Sequence, residues 1–193
     1  MNKRLKNLIF VALFSAFATL LYSYFRYPAF VSFYKIDISE SIVMLGSLIL
    51  GPLPGVAIQV FKNVIKIVMS GSNSAGIGDL ADLISGILYI LPATILFAKQ
   101  NKRGNLIVSL LVGSVLSVLG ACFINYYVML PMFAPSETII SIGQTVNTHI
   151  NSLFDFILYI TAPFNLIKCV INSVIVVLCE KKLKTFFDKK ILK

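Results

Sequence analysis

From Phe156 to Cys179 the chain is apolar almost without interruption, and Lys168 stands close to the middle of that run. About twenty apolar residues in a helix match the ~30 Å hydrocarbon core of a bilayer. A lysine at the centre of such a helix costs about 2.5–3.5 kcal/mol on insertion scales, so it faces a bundle interior and marks a pathway or a ligand. Asn165, Lys168 and Asn172 follow at i, i+3 and i+7, within about a 60° sector of one helix face. That polar stripe reads as a binding wall. The competing reading is a lysine that snorkels or pairs with an acid from another helix.

Composition widens this reading to the whole chain. Of 193 residues, 58% are hydrophobic and only 13% are charged, against about a quarter charged in soluble domains. The expectation is an all-α integral membrane bundle of six transmembrane helices, forming one domain over residues 1–193. The spans fall at 8–25, 42–54, 55–70, 80–98, 106–130 and 156–179. The first has a basic flank like a signal peptide, but it is long for one and no small-x-small cleavage site follows it, so it reads as a retained helix. The second and third come from an apolar stretch broken by Gly51-Pro-Leu-Pro-Gly55, which reads as a tight turn. One kinked helix there would leave five spans and put the basic tail on the wrong side.

Twelve of the seventeen basic residues lie in three places: Lys3, Arg4 and Lys6; Lys99, Lys102 and Arg103; and the tail from Lys181 to Lys193. Six spans put all three on one side, which the positive-inside rule makes cytoplasmic, with both termini. The net charge of +9 is thereby assigned to orientation and lipid headgroups, and not to nucleic acid. The external segments, 26–41, 71–79 and 131–155, carry Asp37, Glu40, Asp79, Glu137 and Asp155 against Arg26 and Lys35. Asp79 and Asp82 read as dipole-complementing acids at the start of the fourth span, and Asp37 or Ser39 as a cap of the second.

The third span carries Gln59, Lys62 or Asn63, Lys66 and Ser70 on one face, so two helices with polar inner stripes can line one cavity. Pairing of Lys62 and Lys66 with Asp79, Asp82 or Glu40 is the alternative. Asn125, beside Tyr126 and Tyr127, offers donors and an acceptor that complement an imide edge. Ala12 and Ala16 form a small-xxx-small pair with Ser15 and Thr19 adjacent, suited to close helix approach within the bundle or to a partner. Cys122, Cys169 and Cys179 are scattered singly and read as free apolar residues. Nothing matches GxSxG, HExxH or the GxxxxGK[ST] phosphate loop, so no enzyme is expected, no metal, and no ATP hydrolysis by this chain.

Together the motifs resemble a family. The basic N-terminus, Ala12-xxx-Ala16, Lys35-Ile-Asp-Ile-Ser39, Gly51-Pro-Leu-Pro-Gly55, Phe61-Lys-Asn63, Gly76-Ile-Gly-Asp-Leu-Ala81, Asn125-Tyr-Tyr127 with Leu130-Pro131, and Ala162-Pro-Phe-Asn-Leu-Ile-Lys168 resemble the riboflavin-binding S components of energy-coupling-factor transporters, the RibU type. The resemblance implies a six-helix fold with an outward-facing vitamin site, and riboflavin as transported ligand in place of any cofactor, with FMN or analogues as alternatives. It implies partners too: a membrane coupling subunit, met by the Ala12/Ala16 face, and two ATP-binding-cassette ATPases, with the whole S component toppling to release vitamin inside. Asn165 and Lys168 would bind the isoalloxazine edge with help from Asn125. Asp37, Glu40 and Lys62 or Asn63 would take the ribityl hydroxyls. The alternatives are a stand-alone secondary carrier, an S component for a different vitamin, or a structural or lipid-binding membrane protein.

Overall fold

The computed structural model describes residues 3–71, 76–100 and 103–190. Of the basic clusters, Lys102 and Lys193 lie outside the described residues, as do the side chains of Lys3, Arg103, Lys181, Lys184, Lys189 and Lys190, and that of Ser70 on the third-span stripe. The element order is α1 (Lys3–Tyr24), β1 (Arg26–Ala29), β2 (Val31–Asp37), α2 (Ser39–Leu50), α3 (Pro52–Ser70), α4 (Ile77–Gln100) and α5 (Arg103–Ile124). A π-helical turn, Asn125–Met129, then leads into α6 (Leu130–Phe133), α7 (Ser136–Gln144) and α8 (Leu153–Phe156). A second π turn, Ile157–Thr161, opens α9 (Ala162–Lys190).

Among the described residues, five helical stretches are long and apolar enough to cross a membrane: Arg4–Tyr24, Pro52–Met69, Ile77–Lys99, Asn105–Phe133 and Leu153–Glu180. α2 is apolar but has only 12 residues, about 18 Å at 1.5 Å per residue. The break between the second and third helices is narrower than the expected five-residue turn. Gly51 alone makes it, with φ of 106°, a conformation that glycine reaches without strain. Pro52 and Pro54 already lie in the first turn of α3, where the missing N–H has no helical partner to lose.

The segment 26–41 departs from the all-α expectation. It folds as an antiparallel hairpin with Arg26 opposite Asp37 and Tyr27 opposite Ile36, then enters α2 directly. Phe30 turns the hairpin at φ 64°. The segment 131–155 carries short helices: α6, α7 and α8 pack through Leu130, Ile139, Ile150 and Phe156.

The interior divides into two apolar clusters. One joins α1, α2, α3, α4, α5 and α9 through Phe14, Met44, Ile58, Ile90, Leu110 and Val176. The other packs β2 against the short helices and the second π turn through Tyr34, Leu130, Phe156 and Ile160. Large aliphatic side chains on the outer faces, such as Leu53, Val68, Leu119 and Leu178, are exposed, as a lipid-facing surface requires. α4 and α5 pack backbone to backbone at Gly113, where a Cβ would stand 2.3 Å from the Tyr89 carbonyl oxygen and 3.0 Å from the Ala93 Cβ. The first of these contacts is backbone and cannot rotate away. Gly113→Ala is therefore expected to force the two helices apart at a cost of about 1–3 kcal/mol, read as a lowered midpoint in thermal unfolding of the detergent-solubilised protein.

Candidate ligand-binding site

A cavity of about 510 Å³ lies between the hairpin, α3, α4, the end of α5 and the start of α9. That volume falls in the range of small-molecule sites. Phe33, Tyr34, Met129, Phe133, Ile142 and Phe164 give it an aromatic and apolar wall, and Asp37, Lys66, Asp79, Asp82, Asn165 and Lys168 a polar one. Tyr34 stacks on Phe164 with ring centroids 4.6 Å apart and an interplanar angle of 12°.

The polar wall is an ion-pair network buried between helices. From α9, Lys168 Nζ donates to Asp82 Oδ1 at 2.8 Å and lies 3.2 Å from Asp37 Oδ2. Asp82 Oδ2 takes Lys66 Nζ at 3.1 Å and stands 3.5 Å from Lys62 Nζ. Lys66 also pairs with Asp79 Oδ1 at 3.0 Å, and Lys62 is bonded to Glu40. Among the described residues, the network thus joins four carboxylates to three ammonium groups. The lysine-pairing reading of the stripes is realised for all three lysines, and Lys66 and Lys168 line the cavity as well.

Asp82 is the group that sequence reasoning undervalued. A span starting near residue 80 makes Asp82 look like a dipole-complementing acid, but α4 begins at Ile77 and only Asp79 lies in its first turn; nothing in α4 alone shows that three lysines from two other helices converge on Asp82. The i, i+4 pair Lys62 and Lys66 on α3 was the available signal, since two ammonium groups on one buried face require a shared acid.

Asp37 ends β2, two residues before α2, whose N-cap position is held by Ile38 without a side-chain cap bond. Its Oδ1 accepts the Ser39 N–H at 3.0 Å, so it binds the first N–H of α2 while its other oxygen faces Lys168. Asn172 is a structural member of the α9 stripe. Its Oδ1 accepts the Ser41 N–H at 2.7 Å, and its amide donates to the carbonyls of Asp37 and Lys168 at 3.0 and 2.9 Å.

The two π turns meet at the cavity wall, and Tyr34 joins them. Its hydroxyl donates to Asn125 Oδ1 at 2.8 Å and lies 2.9 Å from Thr161 Oγ1. Asn125 Nδ2 donates to the Ala121 carbonyl at 2.7 Å, so the structure places Asn125 on the wall with its amide held at both ends. Asn165 Nδ2 donates to the Thr161 carbonyl at 2.8 Å, and its Oδ1 has no partner among the described residues. Asn165 thus lines the cavity a helical turn from Lys168 with one acceptor and one further N–H without a partner among the described residues. Single-turn π insertions in helices commonly mark functional sites.

The remaining candidates lie off the wall. Glu40 and Lys62 face each other beneath it, and Asn63 Nδ2 donates to the Gln59 carbonyl at 3.0 Å within α3. Glu40, Lys62 and Asn63 are not among the cavity-lining residues. On α1 the small-residue motif divides. Ser15 and Thr19 are buried and reach the α3 carbonyls of Ile58 and Lys62 at 3.4 Å, while Ala12 and Ala16 are exposed on the opposite side.

Comparison with known proteins adds the following. The family model described as ECF transporter, substrate-specific component, matches residues 6–179. The riboflavin transporter FmnP of Bacillus subtilis (strain 168) is 31% identical, over 97% of this chain and 96% of that protein. The riboflavin transporter RibU of Staphylococcus aureus (strain TCH60) is 24% identical over 95% and 93%. A solved S component of a bacterial ECF transporter superposes with a TM-score of 0.76 at 21% identity, covering 96% of this chain and 99% of that one, and so shares the fold.

The network makes a prediction about stability. Removing one partner of a buried ion pair leaves the other charge uncompensated, at a cost of about 3–5 kcal/mol. Lys62→Met is expected to lower the unfolding free energy by an amount in that range, read as a lower thermal midpoint, and adding Glu40→Gln to recover part of it. A double variant no more stable than Lys62→Met would show that the Glu40 charge is not what the lysine neutralises.

Proposed function

The chain belongs to the substrate-specific components of ECF transporters, and from that footing we propose that it is the riboflavin-binding membrane subunit of an ATP-driven vitamin importer. It is a multi-pass plasma-membrane protein. The observation that carries the reading is a full-length likeness to riboflavin transporters joined to a cavity whose polar and aromatic walls suit a flavin. A neutral isoalloxazine edge presents carbonyl acceptors and one imide N–H. Lys168 donates to a carbonyl, Asn165 Oδ1 accepts the N–H, and its free amide hydrogen reaches a second carbonyl. The ring rests against Phe164 and Tyr34, favoured by offset stacking, and Asn125 acts through the Tyr34 hydroxyl that it holds. Asp37 and Asp79 suit the ribityl hydroxyls, which are donors.

Six crossings with both termini cytoplasmic follow if β2 and α2 share one passage beside the five long helices. The positive-inside rule favours this orientation. The energy comes from partner chains, a membrane coupling subunit and two ABC-type ATPases. The exposed Ala12/Ala16 face of α1 is the docking surface, because small residues allow close backbone approach in lipid.

Lys168→Ala is expected to weaken riboflavin binding more than tenfold, in line with about 1.5–3 kcal/mol for a hydrogen bond to a charged group. Titration by quenching of flavin fluorescence measures it, and unchanged affinity in a folded variant would remove Lys168 from the site. Ala12→Leu with Ala16→Leu should leave that affinity intact and lower uptake in cells. In liposomes the chain alone should bind external riboflavin without accumulating it. Proton-driven accumulation would favour a secondary carrier.

A further inference from the structure

We propose that Asp82 is the positioning residue of this site, the group that aims Lys168 and limits it to one free donor; the inference rests on the flavin-binding reading. A lysine ammonium rides on a four-carbon stem with three rotatable donors, so its direction in an open cavity must come from its partners. Asp82 supplies the direction. Its Oδ1 holds Lys168 Nζ at 2.8 Å, while its Oδ2 faces Lys66 Nζ at 3.1 Å and Lys62 Nζ at 3.5 Å. Those two lysines are fixed in turn, Lys62 by Glu40 and Lys66 by Asp79, and both are buried. The carboxylate is thereby anchored to α3 on one side and presents a fixed edge to α9 on the other.

Asp37, the second partner of Lys168 at 3.2 Å, completes the arrangement. Two carboxylates occupy two of the three N–H directions, so one remains for a ligand. Asn165, three residues earlier on α9, lines the same cavity, and its Oδ1 has no partner among the described residues. The pair therefore offers one strong donor beside one acceptor. With four carboxylates against three ammonium groups in the network, the floor favours a neutral carbonyl over an anion.

The experiment is a double-mutant cycle on the full-length chain in detergent, using riboflavin and fluorescence quenching, with Asp82→Asn, Lys168→Met and the combination. Asp82→Asn is expected to weaken binding more than tenfold, yet to change affinity less than twofold when Lys168 is already Met, because its effect passes through that ammonium. An equal loss in both backgrounds overturns the proposal and leaves Asp82 a helix-pairing residue. If Asp82→Asn fails to fold, the cycle is run with Asp82→Glu, which retains the charge for Lys62 and Lys66 and displaces the oxygens by one methylene. A several-fold loss confined to the Lys168 background supports the aiming role, and wild-type affinity overturns it. A wild-type chain that quenches no flavin overturns this inference together with the function beneath it, whereas additive losses in a chain that binds riboflavin overturn this inference alone.

Discussion

Burying charge at membrane depth is costly unless every charge finds a partner, and the interior of this protein is organised around meeting that condition. Lys62, Lys66 and Lys168 come from two helices, and Asp37, Glu40, Asp79 and Asp82 from the hairpin end, α2 and α4. Every ion pair in this network joins different segments. Five segments must assemble before these charges are matched, so the network specifies which helices meet and in what rotation. The cavity is the space left above it, and its floor chemistry comes from groups already held in place.

Apolar contacts in this bundle serve shape more than cohesion, since lipid offers aliphatic side chains as good a home as a neighbouring helix does. Close approach and hydrogen bonding take over the cohesive role. α4 meets α5 at Gly113, and α1 meets α3 through Ser15 and Thr19. The polar spine Asn125–Tyr34–Thr161–Asn165 ties the hairpin to both π turns. These contacts place the aromatic wall opposite the charged one.

Much of this was legible in the chain. Long apolar runs marked the helices, and the isolated Lys168 and the Lys62/Lys66 pair marked inward faces, because in hydrocarbon a charge has no solvent to hide in. The hairpin at 26–37 was not legible. Its alternation is masked by aromatics that suit a membrane interface equally well, and only packing under α9 makes Tyr34 and Asp37 interior. The role of Asp82 was hidden for a related reason: a helix-start acid has a sufficient local explanation, and convergence of three lysines is a property of assembly. Asn172 looked like part of the ligand stripe and instead satisfies the first turn of α2, a need visible only once the two helices are neighbours. Helical spacing showed that Asn165 and Lys168 share a face, but not that Thr161 would take one amide hydrogen and leave the carbonyl free.

The brevity of α2 bears on how the protein is made. Twelve apolar residues, preceded by a strand carrying Lys35 and Asp37, fall well short of the roughly twenty that partition into a bilayer as an independent unit. α3, the next helix, carries Lys62 and Lys66 and is itself a poor candidate to enter alone. The two are joined through the single residue Gly51, so the nascent chain must deliver them together as a helical hairpin, and the acids that neutralise α3 arrive only with α2 and α4. The charges of the α2–α3 unit are thus fully matched only once α4, which brings Asp79 and Asp82, has joined it.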